Sequence, residues 1–77
     1  MKLHVYTICD SVAAAFLPPF YMHNDGLAIR AFQDNVNSSD DNNIAKHPEQ
    51  YTLFHIGEFE DSTGIFTPAD SPRALSN

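Results

Sequence analysis

Four histidines, at positions 4, 23, 47 and 55, and the single cysteine Cys9 are the side chains of this chain best suited to hold a metal ion. His4 and His55 fall in two separate strand-like segments that can pair, with Cys9 a little further along the first. Zinc takes nitrogen and sulfur ligands in a tetrahedron, so such a trio has suitable chemistry. Spacing argues the other way. No CxxC, HxxxH or HExxH pattern occurs, and ordinary cross-strand packing accounts for the pair. His23 beside Asn24 and His47 beside Pro48 mark the ends of elements. No metal and no cofactor are expected.

Catalytic chemistry finds even less support. Cys9 has Asp10 beside it and no neighbouring cation, which disfavours a thiolate. The serines, at 11, 38, 39, 62, 71 and 76, sit in turns or near the chain end and show no nucleophile-elbow spacing. Glu58 and Glu60 share a strand face, with Asp61 at its end. Paired carboxylates can do acid–base work or hold a divalent ion, but a charged rim that protects a sheet edge is their commoner use. Three glycines in all, at 26, 57 and 64, leave no phosphate-cradling loop. The aromatics Tyr6, Phe16, Phe20, Tyr21, Phe54 and Phe66 could stack on bases; a chain without tryptophan also needs them for its core. The chain reads as a non-enzyme.

These side chains need elements to position them. Residues 2–8, KLHVYTI, are β-branched and aromatic and predict a strand with apolar residues on both faces. Residues 14–22 predict a second extended segment, irregular or at an edge because Pro18 and Pro19 lack backbone donors. Asn24 or Asp25 can cap a helix over HNDGLAIRAFQDNV, whose stripe is Ala28, Ile29, Phe32 and Val36, with Arg30 and Asp34 four apart on the polar side. NSSDDNN is its exit loop. YTLFHIGEF, residues 51–59, alternates Tyr51, Leu53, His55, Gly57 and Phe59 against Thr52, Phe54, Ile56 and Glu58, apolar on both faces. A turn at Asp61-Ser62-Thr63-Gly64 returns the chain as the short strand IFT. The expected fold is α+β: a small antiparallel-rich sheet in the order β-β-α-β-β with one helix on a face. Residues 1–67 make one domain, and 68–77 read as a C-terminal tail.

Size and charge narrow the partners. A chain of this length buries only about 60% of its unfolded surface, so self-association is the natural remedy and a homodimer is expected. A second copy would also cover the sheet face that one helix leaves bare. Ten acidic residues face four basic ones, Lys2, Arg30, Lys46 and Arg73, for a net charge of −6. Each phosphate contact needs a cation, so tight nucleic-acid binding is disfavoured. Residues 1–10 lack the features of a signal peptide, and no apolar run approaches the ~20 residues of a spanning helix. A soluble protein of the cytoplasm with no membrane partner is expected.

Three stretches, KLHVYTICDSVAAAFLPPF, AIRAFQDNVN and KHPEQYTLFHIGEFEDSTGIF, carry a further signal. In this order, spanning residues 2–66, they resemble the small nonstructural protein of gokushovirus-type microviruses, tailless phages with circular single-stranded DNA. The sequence departs from that pattern at His55, where relatives often carry a longer basic side chain, and in its polar, acidic helix-to-strand loop. The resemblance implies an accessory of viral DNA synthesis that is absent from the virion shell and has no established catalytic motif.

The resulting expectation is a non-enzymatic accessory in single-stranded DNA replication or genome packaging, located in the host cell cytoplasm. It would bind the replication initiator, a host replication protein or the procapsid. The alternative is direct, weak single-stranded DNA binding through Arg30, Lys46 and Tyr21. A third reading is an acidic surface of Asp40, Asp41, Glu58, Glu60 and Asp61 that imitates nucleic acid.

Overall fold

The computed structural model describes residues 1–37 and 43–76. Five strands form one antiparallel sheet: β1 (Lys2–Asp10), β2 (Ala15–Phe16), β3 (Phe20–Met22), β4 (Tyr51–Glu60) and β5 (Ile65–Ser76). β1 pairs with β4 along its whole length, from Lys2↔Glu60 to Asp10↔Tyr51. Its other edge is met in two short pieces, by β3 at residues 4–6 and by β2 at residues 9–10. Pro18 and Pro19 lie between the pieces, where missing N–H groups interrupt the ladder. The single segment expected over 14–22 is therefore two edge strands.

Helix α1 (Asp25–Val36) starts where Asn24 caps it, its side chain accepting from the Leu27 amide at 2.9 Å. The capped end satisfies one of the donors that every helix start leaves unpaired. Its stripe behaves as the spacing requires: Ala28 and Phe32 are buried, and Ile29 and Val36 pack at the margin. They meet Tyr6 and Ile8 of β1 and Tyr51 and Leu53 of β4, which form the core with them. A four-residue helix α2 (Asn43–Lys46) adds Ile44 to its edge, and a 3-10 turn at Pro48–Gln50 leads into β4. Neither short piece is in the β-β-α-β-β order expected from the sequence, which had one helix. The NSSDDNN exit loop lies for the most part outside the described residues.

Two irregularities re-aim the sheet. The β1–β4 ladder pairs Tyr6 with His55 but Val5 with Gly57, so the register slips by one residue. Strict alternation would put Gly57 and Phe59 with Leu53. The bulge instead turns them to the opposite face, beside Phe54, and leaves His55 and Glu58 on the helix side. On the far edge β4 pairs with β5, Gly57 opposite Pro68 but His55 opposite Arg73. Residues 69–72 thus face one residue of β4. That mismatch hides the strand from any period-two reading and explains why 68–77 reads as a tail. The segment docks: Arg73 and Ala74 rejoin the ladder, and Leu75 packs against the core.

The hairpin turn follows its sequence. Gly64 has φ 74°, in the left-handed region, and its amide donates to the Glu60 carbonyl at 2.8 Å. No helix among the described residues is long and apolar enough to cross a membrane.

Candidate functional site

On the helix side of the sheet, β1, β4, β5 and the start of α1 converge on a polar cluster. His4 Nδ1 and His55 Nε2 stand 3.1 Å apart across the β1–β4 pair, one ring donating to the other. The Tyr6 hydroxyl, on the same face of β1, donates to Asp25 Oδ1 at 2.7 Å. Arg73 Nη2 reaches from β5 to Asp25 Oδ2 at 2.9 Å. The two rings of His55 and Tyr6 meet edge-on with centroids 5.4 Å apart.

Each group's acidity follows from these contacts. The Arg73 guanidinium, aided by the Tyr6 hydroxyl, holds the Asp25 carboxyl below its ordinary range. Burial pushes the His55 imidazolium down, and the Arg73 charge adds to this. Burial, then the bond to Asp25, pushes the Tyr6 phenol up, so it stays a donor. Burial and charge thus favour a neutral His55 ring beside an ionised Asp25 carboxylate. Donor atoms of His4, His55 and Asp25 all lie within 4.8 Å of one another.

The sequence brings His4 and His55 to mind as neighbours, and they are neighbours. Cys9 is not with them. It pairs with Phe16 and Thr52 on the other face of the sheet, five residues along β1 from His4. Asp25 takes the third place instead. Sequence reasoning assigns Asp25 to helix capping and Arg73 to the tail, so both are missed. The one available signal is the helix start, which carries a carboxylate beyond the Asn24 that does the capping.

The opposite, helix-free face is apolar and aromatic. Val5 and Thr7 are buried beneath it, the Thr7 hydroxyl donating to the Leu17 carbonyl at 2.6 Å. Phe16 lies edge-on to Phe54 and Tyr21 edge-on to Phe59, both pairs with centroids 5.7 Å apart. A β-carbon added to Gly57 would come within 2.8 Å of the Phe66 ring, so that ring sits over the glycine. These rings come from the same chain, so β1 has cover on both faces without a second copy. The covering layer itself is open: Phe16 is 53% exposed, Tyr21 51% and Phe66 45%. An apolar hollow of about 260 Å³ among Thr7, Phe16, Leu17, Pro19, Ile56 and Pro72 indents it.

The residues suggested for DNA contact are not gathered. Tyr21 pairs with Val5 and so faces the helix-free side. Arg30 lies exposed on α1 and Lys46 exposed on α2, both on the helix side. Lys2 is bridged to Glu58 at 3.4 Å and Arg73 to Asp25. Of the suggested acidic surface, Asp40 and Asp41 lie outside the described residues. Glu60 accepts from the Met1 ammonium and from Ser62, and these bonds pull it down to about 2.

Among known proteins, the family described as Phage ORF5 protein matches residues 3–77. "Protein ORF5" of Chlamydia phage 1 is 35% identical over 74 residues, a span of 92% of this chain and 77% of that relative. No solved structure matches the chain. With nearly the whole length matched in a single stretch that takes in both sheet faces and α1, the chain belongs to the Phage ORF5 protein family of small phage nonstructural proteins.

Proposed function

We propose that this protein is a non-enzymatic accessory of a gokushovirus-type microvirus, acting in viral single-stranded DNA replication or genome packaging through protein contacts. The observation that carries the reading is the helix-free face. Its rings are half-exposed, its hollow is lined without a single charge, and the chain's basic residues lie elsewhere. An apolar, aromatic surface free of cations suits a protein partner, whereas a nucleic-acid strand needs positive charge along its path. A second copy of this chain is the first occupant of that face. A small domain gains most from burying rings it already displays, and two copies of net charge −6 associate best where the charges are absent. The homodimer then engages the replication initiator, a host replication protein or the procapsid in the host cell cytoplasm.

Two measurements on the purified protein test this together. Sedimentation at micromolar concentration should give a dimer, and Phe16→Ser with Tyr21→Ser should return it to a folded monomer. A well-folded wild-type monomer at that concentration refutes the dimer. Fluorescence anisotropy with a labelled single-stranded oligonucleotide should show no binding at moderate salt. Binding at low salt that collapses as salt rises and weakens in Arg30→Ala would replace protein contact with direct DNA contact.

A further inference from the structure

The polar cluster lies across the sheet from the apolar rings and has a use of its own. We propose that His4, His55 and Asp25 form a binding site for a divalent transition-metal cation of the zinc type, which clamps β1, β4 and the start of α1 together.

The geometry is that of a ligand set. A tetrahedral zinc with bonds of about 2.0–2.1 Å holds its ligand atoms about 3.3–3.4 Å apart. His4 Nδ1 and His55 Nε2 already stand 3.1 Å from each other, and the Asp25 carboxylate is within 4.8 Å of both. The three come from three elements, each fixed by its own packing or ladder, so the site does not rest on one flexible loop. Both oxygens of Asp25 are held from outside, Oδ1 by the Tyr6 hydroxyl and Oδ2 by Arg73, and each keeps a lone pair. Carboxylates that ligate a metal are commonly held by outer hydrogen bonds in this way.

Charge is the main objection, since Arg73 repels a dication. Asp25 offsets it, while Asp70 and Glu58, the latter shared with Lys2, line an open polar hollow of about 310 Å³ together with His55. That hollow brings solvent to the His55 side of the cluster. The benefit to the fold is specific. A chain of 77 residues has a small core. Metals are a recurrent staple in domains of this size, because binding free energy adds to folding free energy.

The test uses the full, untagged chain after chelator treatment. Titration with zinc should show one equivalent bound per chain and a rise in Tm. Cobalt should give the visible absorption of a four-coordinate site with nitrogen and oxygen ligands. His4→Gln and His55→Gln should each weaken zinc binding by more than about 10-fold, and His47→Gln, on an exposed residue away from the cluster, should leave it unchanged. If a histidine variant fails to fold, the wild-type imidazole proton signals decide: those of His4 and His55 should shift with zinc. No binding at 100-fold excess zinc over chain overturns the site, as does a shift confined to His23 or His47.

Discussion

The two faces of the sheet are built from alternate residues of the same strands, yet they hold together by different means. On the helix side Tyr6, Ile8, Leu53, Ala28 and Phe32 are closed off from water, and His4, His55, Tyr6, Asp25 and Arg73 each have a polar partner there. On the helix-free side Val5, Thr7 and Gly57 are closed off, and the rings above them remain half in water. One face is a finished interior with a charged corner; the other is a layer whose outer surface still has apolar area to lose. The lesson is that a helix does more than shield a sheet. It lets polar side chains on its side find fixed partners, whereas the bare side is covered with rings that tolerate solvent and wait for company.

Truncating one residue on each face should separate the two most widely. Leu53→Ala removes a fully buried side chain beneath α1 and should cost about 2–5 kcal/mol. A domain of this size has only about 4–12 kcal/mol in total, so partial unfolding at 37 °C is expected by circular dichroism. Phe16→Ser on the other face should cost a single copy of the chain about 1 kcal/mol or less, by the same melt at a concentration too low for dimer formation, since half of that ring is wet within one copy. Equal losses would mean that the two faces are not different in kind. Gly57→Ala comes next in size. Its new β-carbon would stand 2.6 Å from the Thr67 carbonyl oxygen and 2.8 Å from the Phe66 ring, and backbone cannot swing aside as a side chain can. Overpacking of that order costs about 1–3 kcal/mol. Hydrogen exchange should show the loss along β4 and β5 while amides of α1 stay protected.

Much of the helix side was legible from residue types. The stripe of Ala28, Ile29, Phe32 and Val36, the cap at Asn24 and the turn at Gly64 are local signals, and each appears where its chemistry requires. The pairing of His4 with His55 also follows from two strands that must lie side by side. What could not be read depends on register. One extra residue at Ile56 moves Gly57 and Phe59 across the sheet, and no local propensity marks that slip. The four residues 69–72 opposite that point make a strand look like a tail, so Arg73, and through it the state of Asp25, was hidden. Tyr21, Arg30 and Lys46 look like one set only as long as the side of the sheet that each faces is unknown, and residue type does not carry that.

The smallest expected effect is also the most local. Tyr6→Phe keeps the buried ring and removes only its hydroxyl, so the core should be undisturbed. The Asp25 carboxylate keeps Arg73 but loses its second donor, and the net loss of a hydrogen bond of this kind is about 1 kcal/mol. The direction with pH follows from linkage. In the folded wild type Asp25 lies below its ordinary value of 3.8, so its contribution is full above that pH and is lost as acid protonates the folded form. Removing the hydroxyl moves the folded value back toward 3.8. The stability difference between Tyr6→Phe and wild type should therefore be constant near neutrality and shrink below pH 3.8, in chelator-containing buffer so that no metal contributes. A carbon-detected titration of the Asp25 carboxyl reads the same shift directly. If the difference instead persists at low pH, the hydroxyl acts through packing of the ring, and the helix side owes its polar corner to shape more than to matched charge.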